Sequence, residues 1–141
     1  MTGSMIAAII AIAAALVLAA VVGGVLNRRA GVVRETAKPD AELDTSDLGL
    51  SRTGPTIVHF SAVWCGPCAR VRRVVDQVCG DMRDVAHVEI DMEANPAAAR
   101  KLSVLSLPTT FIFDADGRQR YRTAGVPAVA DLRSALEPLL A

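Results

Sequence analysis

Met5 to Leu26 reads MIAAIIAIAAALVLAAVVGGVL, a run without one charged side chain. As an α-helix it would extend roughly 33 Å, enough for a bilayer hydrocarbon core of about 30 Å. The competing reading is a cleaved secretory signal, since Leu16 to Ala20 places small residues near a plausible cleavage point. Such signals usually open with Lys or Arg and carry only about 7–15 apolar residues. Here only Met1 to Ser4 precede a longer run. A transmembrane anchor over residues 1–27 is therefore expected, making this a single-pass membrane protein. Arg28, Arg29, Arg34 and Lys38 follow the span and no Lys or Arg precedes it. The positive-inside bias then puts the C-terminal side in the cytoplasm.

The whole chain has 141 residues, which suggests one domain plus this appendage. Its 15 basic and 15 acidic side chains cancel, and phosphate binding needs a basic surplus, so no nucleic acid partner is expected. Three cysteines, Cys65, Cys68 and Cys79, are too few and odd in number for a disulfide-stapled scaffold. A core built on Val, Ile, Leu and Ala must carry the stability. Residues 28–54 turn polar and irregular, with mixed charges and Pro39, and are expected to form a tether with at most a short ordered piece near Leu43 to Leu50.

From Pro55 the patterning becomes that of a globular α/β domain, expected over residues 55–141. Thr56 to Ser61 is a short β-branched run of buried-strand type. Cys68, Val71, Val75, Val78, Cys79 and Met82 recur at helical spacing, with Arg70, Arg72, Arg73 and Asp76 falling largely elsewhere. Val85 to Ile90 reads as a second strand and Pro96 to Leu102 as a helix with Pro at its start. The segments around Ala115-Asp116-Gly117 predict a hairpin, because Asp-Gly tolerates the positive φ angles of a tight turn. Val129, Leu132, Leu136 and Leu139 mark a closing amphipathic helix. The order β-α-β-α-β-β-α implies a small mixed sheet covered by helices, its first two strands parallel because a crossover joins them.

The chemistry concentrates in Trp64-Cys65-Gly66-Pro67-Cys68. Two cysteines at this spacing can be half a zinc site, a structural disulfide or a reversible redox pair. The position after a strand and at the start of a helix favours redox chemistry. Free N–H groups and the positive end of the helix dipole stabilise a thiolate there. Cys65 is expected as the exposed nucleophile and Cys68, one turn inward, as the resolving thiol. Gly66 and Pro67 suit a helix start, and Trp64 offers an apolar wall beside the reactive sulfur. For zinc, His59 and His87 would have to complete the ligand set, but the spacing resembles no zinc finger.

The stretch Phe60 to Cys68, FSAVWCGPC, resembles the active site of the thioredoxin family. The likeness continues through VEID, through SLPTTFIFDADG and through RTAG before the last helix, from about Thr56 to the C-terminus. The resemblance implies a thioredoxin-like fold, a mixed parallel and antiparallel sheet flanked by helices, preceded here by the N-terminal transmembrane helix. It implies a thiol–disulfide oxidoreductase that reduces protein disulfides through a reversible Cys65–Cys68 dithiol, with no other cofactor. Pro108 would follow a cis peptide, presenting the Leu107 backbone to an extended substrate, and Gly125 would line the substrate groove. Substrate contact is thus expected at Trp64, Gly66, Pro67, Leu107, Pro108 and Gly125. The partners implied are disulfide-containing proteins and an electron donor such as a thioredoxin reductase or a membrane thiol carrier.

Two departures stand out. Where thioredoxins place a buried acid six positions before the first cysteine, this chain has His59. Where they place a Lys on the next strand, it has His87. His59 is a candidate catalytic residue beside Cys65 and Cys68, relaying a proton from Cys68 with His87 tuning it. The alternative is a neutral, hydrogen-bonded strand residue. Cys79 is expected as a buried inert thiol and the arginines as a solvated helix face. An extracytoplasmic thiol oxidant or maturation factor, and a non-catalytic adaptor, are the competing functional readings.

Overall fold

The computed structural model describes residues 2–36 and 43–141. The chain divides into two compact units, Met1–Ala30 and Gly31–Ala141. The first is a single helix, α1 (Thr2–Arg29). Its stretch Gly3–Arg28 is long and apolar enough to cross a membrane, a property that anchors share with secretory signals.

The second unit begins well before Pro55, the boundary that the residue pattern suggests. β1 (Arg34–Glu35) pairs antiparallel with β5 (Gln119–Ala124), Arg34 opposite Arg122 and Glu35 opposite Tyr121. Gly31 leads into it at φ +86°, its N–H donating to the Ala124 carbonyl at 2.5 Å. A Cβ there would collide with the Val126 carbonyl oxygen, so only glycine allows this approach. Farther on, Ser46–Leu48 forms one 3₁₀ turn that sinks Leu48 into the core. Part of the expected tether is therefore domain. The 3₁₀ turn falls within the short ordered piece expected near Leu43 to Leu50, whereas a two-residue strand leaves no periodicity for a sequence reading to detect. Residues 37–42 of that segment, Lys38 and Pro39 among them, lie outside the described residues.

The remaining elements follow the expected order. They are β2 (Thr56–Ser61), α2 (Cys68–Asp81), β3 (Ala86–Asp91), α3 (Pro96–Lys101), β4 (Thr109–Phe113), β5 and α4 (Val129–Leu136). The sheet runs β1-β5-β4-β2-β3, with β2 parallel to β3 and antiparallel to β4. Asp114 closes the β4–β5 hairpin, its carboxylate accepting the Asp116 and Arg118 N–H groups at 3.0 and 2.9 Å. Gly117 takes φ +78° in that turn, the conformation the Asp-Gly pair predicts.

Alternation along the strands sorts the core into two layers. Val58, Phe60, Phe111 and Phe113 point to one face, where Leu48, Ala98, Ala99 and Leu102 cover them. Ile57 and Ile112 point to the other, under Val71, Val75 and Val78 of α2 and Leu132 and Leu136 of α4. His59 and Ser61 share parity with Ile57, so both lie on the α2 side. Leu48→Ala should lower the unfolding free energy by roughly 2–5 kcal/mol, the range for a buried leucine. Urea titration checks this, and a cost below 1 kcal/mol would return the segment to tether status.

Candidate active site

Strand register gathers the site at one end of the sheet. Phe60, next to the end of β2, pairs with Thr109 at the start of β4 and with Ile90 near the end of β3. Thr109 in turn pairs with Ala124, the last residue of β5. The segments leaving β2, β3 and β5 and the one entering β4 therefore emerge together. They carry Trp64 to Cys68, Glu93, Gly125 and Leu107–Pro108 respectively.

Cys65 and Cys68 are joined in a disulfide, S–S 2.04 Å and Cα–Cα 5.5 Å. Cys68 opens α2 and is 2% exposed, its Sγ lying 3.9 Å from the Phe60 carbonyl oxygen. Cys65 is partly exposed. It sits in the turn ahead of α2 rather than in the first helical turn, a difference from the expectation. Its N–H is used by that turn, donating to Ala62 at 3.0 Å, and Pro67 with φ −65° occupies the position just before the helix. The positive end of α2 still faces the Cys65 turn.

Trp64 is 65% exposed, and its indole N–H donates to Glu93 Oε1 at 3.1 Å. Val63 and Leu105 are each 91% exposed, so apolar side chains stand in solvent on both loops of the site. Gly66 and Pro67 are exposed, and a Cβ at Gly66 would meet nothing within 4 Å. The Leu107–Pro108 peptide is cis. Pro108 is buried, and its carbonyl accepts the Gly125 N–H at 2.9 Å, tying these two segments together.

On the α2 side of the sheet lies a polar cluster. His59 is fully buried, and its Nδ1 is 2.8 Å from His87 Nε2, the ring centroids 5.0 Å apart and the planes 16° apart. His59 Nε2 faces Glu89 Oε1 at 3.6 Å, and no hydrogen-bond partner satisfies it. Arg72 of α2 grips the Glu89 carboxylate with two donors, Nε at 2.9 Å and Nη2 at 2.5 Å, and Ser61 Oγ adds a third at 2.8 Å. His87 Nδ1 lies 3.9 Å from the exposed Asp76 carboxylate. The Arg72 guanidinium, chiefly, holds the Glu89 carboxyl down at about 2. Burial pushes His59 down to about 4, against the opposing pull of Glu89, and lowers His87 as well. Both imidazoles are neutral at pH 7 beside an ionised carboxylate.

Arg72, read from sequence as part of a solvated face, is thus held by Glu89. Neither Glu89 nor Glu93 stands out in the sequence. The register of β3 against β2, with Glu89 opposite His59, and the one-turn step from Cys68 to Arg72 are the signals that locate the cluster. Among the described residues no group of three or more His, Cys, Asp or Glu side chains is arranged to hold a metal ion.

Comparison with known proteins agrees with the geometry. A family model described as Thioredoxin matches residues 44–137. The thioredoxin of Mycolicibacterium smegmatis is 38% identical over 107 residues, covering 74% of this chain and 93% of that protein. The bifunctional thioredoxin reductase/thioredoxin of Mycobacterium leprae is 36% identical over 84 residues, 59% of this chain and 18% of that one. Among solved structures, chloroplastic thioredoxin z superimposes with a TM-score of 0.57 at 34% identity, covering 62% of this chain and 80% of that chain. The oxidised mitochondrial thioredoxin 3 of Saccharomyces cerevisiae gives 0.54 at 25%, covering 60% and 78%.

The depressed His59 value fixes a sign. The unfolded chain, with an ordinary imidazole near 6.5, binds a proton before the folded one does as pH falls. Stability should therefore drop between about pH 6.5 and pH 4. In His59→Gln the loss between pH 7 and pH 4.5 should shrink by about 2–3 kcal/mol, read from urea titrations at the two pH values. An identical acid loss in both proteins contradicts the assignment.

Proposed function

The chain belongs to the thioredoxin family, and from that premise we propose that it reduces protein disulfides at Cys65–Cys68 while held at a membrane by α1. It is a thiol–disulfide oxidoreductase. The observation that carries the proposal is the disulfide itself, with one reachable and one buried sulfur at the end of the sheet where Leu107–Pro108 and Gly125 also emerge.

In the reduced enzyme the Cys65 thiolate, stabilised by the amide end of α2, attacks one sulfur of a substrate disulfide. The substrate S–S bond breaks, a Cys65–substrate disulfide forms, and the departing substrate thiolate takes a proton from solvent. Cys68 then loses its proton and attacks Cys65 Sγ. The second substrate thiolate leaves, and the intramolecular disulfide closes. Two electrons have passed to the substrate. His59, buried on the α2 face two residues before the strand end, accepts the Cys68 proton. Trp64, fixed by Glu93, supplies a flat apolar wall, and an extended substrate segment lies along Leu107, Pro108 and Gly125 in strand-addition fashion. Gly66 and Pro67 leave the approach to Cys65 open.

Returning the disulfide to the dithiol needs a donor of two electrons. A thioredoxin reductase fits, since one relative carries both activities in its name within one chain. Arg28 and Arg29 at the end of α1 and Arg34 beyond it support a domain on the cytoplasmic side.

Two outcomes test the reading. Cys65→Ser should reduce insulin no faster than buffer, whereas Cys68→Ser should hold substrates as mixed disulfides that dithiothreitol releases; turnover by Cys65→Ser sinks the mechanism. In cells, the full-length chain should sediment with membranes at its uncleaved mass, and a membrane-impermeant maleimide should label its dithiol only after lysis. A shortened soluble form, or labelling of intact cells, rejects the anchor or its orientation.

A further inference from the structure

The paired histidines differ from an ordinary buried pair because each of their four ring nitrogens has an identified neighbour. His59 Nε2 points toward Glu89, its partner in the β2–β3 register. His59 Nδ1 meets His87 Nε2, and His87 pairs with Ile57, one step away from the disulfide. His87 Nδ1 faces Asp76, whose carboxylate is in solvent. The four nitrogens thus form a line from the part-exposed Glu89 carboxylate through the fully buried His59 to Asp76 in solvent.

A 2.8 Å contact between two neutral imidazoles needs one donor and one acceptor. Only two arrangements satisfy it. In one, both rings carry the proton on Nε2, so that His59 presents an N–H to the Glu89 carboxylate. In the other, both carry it on Nδ1, so that the buried His59 Nε2 is a free base and His87 presents an N–H to Asp76. Converting one into the other moves one proton along the line without charging either ring.

Building on the reductase reading, we propose that His59 and His87 form a two-imidazole relay that carries the Cys68 proton to the surface at Asp76, its two tautomers tied to the redox state of the Cys65–Cys68 pair. In the reduced enzyme both rings are Nδ1–H. When Cys68 attacks the mixed disulfide, its proton goes to His59 Nε2, the His59 Nδ1 proton to His87 Nε2, and the His87 Nδ1 proton to solvent beside Asp76. The oxidised enzyme is left with both rings Nε2–H, the form that the facing Glu89 carboxylate stabilises. Reduction by the donor reverses every transfer and returns one proton to Cys68, so no ring needs to flip between turnovers. His87 touches no substrate and acts through His59 as a positioning residue.

The groups around the pair suit this task. Glu89, locked in its ionised form by Arg72 and Ser61, supplies the fixed charge at the inner end. Cys68 lies on the same stripe of α2 as Arg72 and Asp76, and Thr110 of β4 stands opposite His59 with its hydroxyl unpaired. Burial keeps both rings neutral, which a relay by tautomer exchange requires.

Imidazole ¹⁵N NMR of the full-length chain in detergent micelles, oxidised and then reduced with dithiothreitol at pH 7.5, reads the tautomers directly. Both histidines should change from Nε2–H to Nδ1–H on reduction. The same tautomers in both states, or a cationic ring in either, overturn the relay. His87→Phe, which keeps a ring against His59 but removes both nitrogens, should form the mixed disulfide at the wild-type rate. It should resolve that intermediate roughly 10–100-fold more slowly near pH 7, the usual size of a lost proton-transfer contribution, and recover as pH rises toward the cysteine range. An unchanged resolution rate and pH profile in His87→Phe also overturn it. A wild-type chain that reduces insulin with unswitched tautomers loses the relay alone, whereas one that forms no mixed disulfide loses the reductase reading itself.

Discussion

Everything at the site depends on the burial of β2. All six of its residues are buried, and both of its edges are occupied, by β3 in parallel and by β4 antiparallel. A strand fixed on both edges cannot slip by one residue without turning its whole apolar set to the wrong face. The residues that follow it are therefore delivered to one point, above the ends of β3 and β5 and the start of β4. Cys65 and Cys68 inherit their position from Ile57, Val58 and Phe60.

The same strand carries a cost. Placing His59 between Val58 and Phe60 puts an ionisable ring into the layer between sheet and α2, where an unpaired charge would be strongly unfavourable. The chain answers with neutrality and pairing. The ring stays uncharged and pairs with His87 through Nδ1, and the neighbouring Glu89 charge is matched by a two-donor contact from Arg72. Such a cluster contributes less to stability than apolar packing of equal volume would.

Much of this was legible in the sequence because the informative periods are short. Thr56 to Ser61 is the strand that its β-branched run predicts, and Val71, Val75 and Val78 line α2 as their spacing requires. The parallel pairing of β2 with β3 follows from the crossover, and the cis Leu107–Pro108 peptide follows from the family resemblance. What escaped lies in pairings between distant residues. β1 is two residues long and gains its identity only from Arg122 and Tyr121 across the sheet. Glu89 and Arg72 look like ordinary surface charges, because a carboxylate shows its partner only once strand and helix are packed together.

Cys79 lies farther along α2, half-buried beside the Val75 and Val78 layer, and burial raises its thiol above the ordinary range. At neutral pH it is a protonated bystander, although it shares a helix with Cys68. Chemical bookkeeping on the intact protein is therefore simple. Thiol-directed reagents should meet Cys65 first, with Cys68 buried and Cys79 protonated, so a first adduct recovered from cells points to one position.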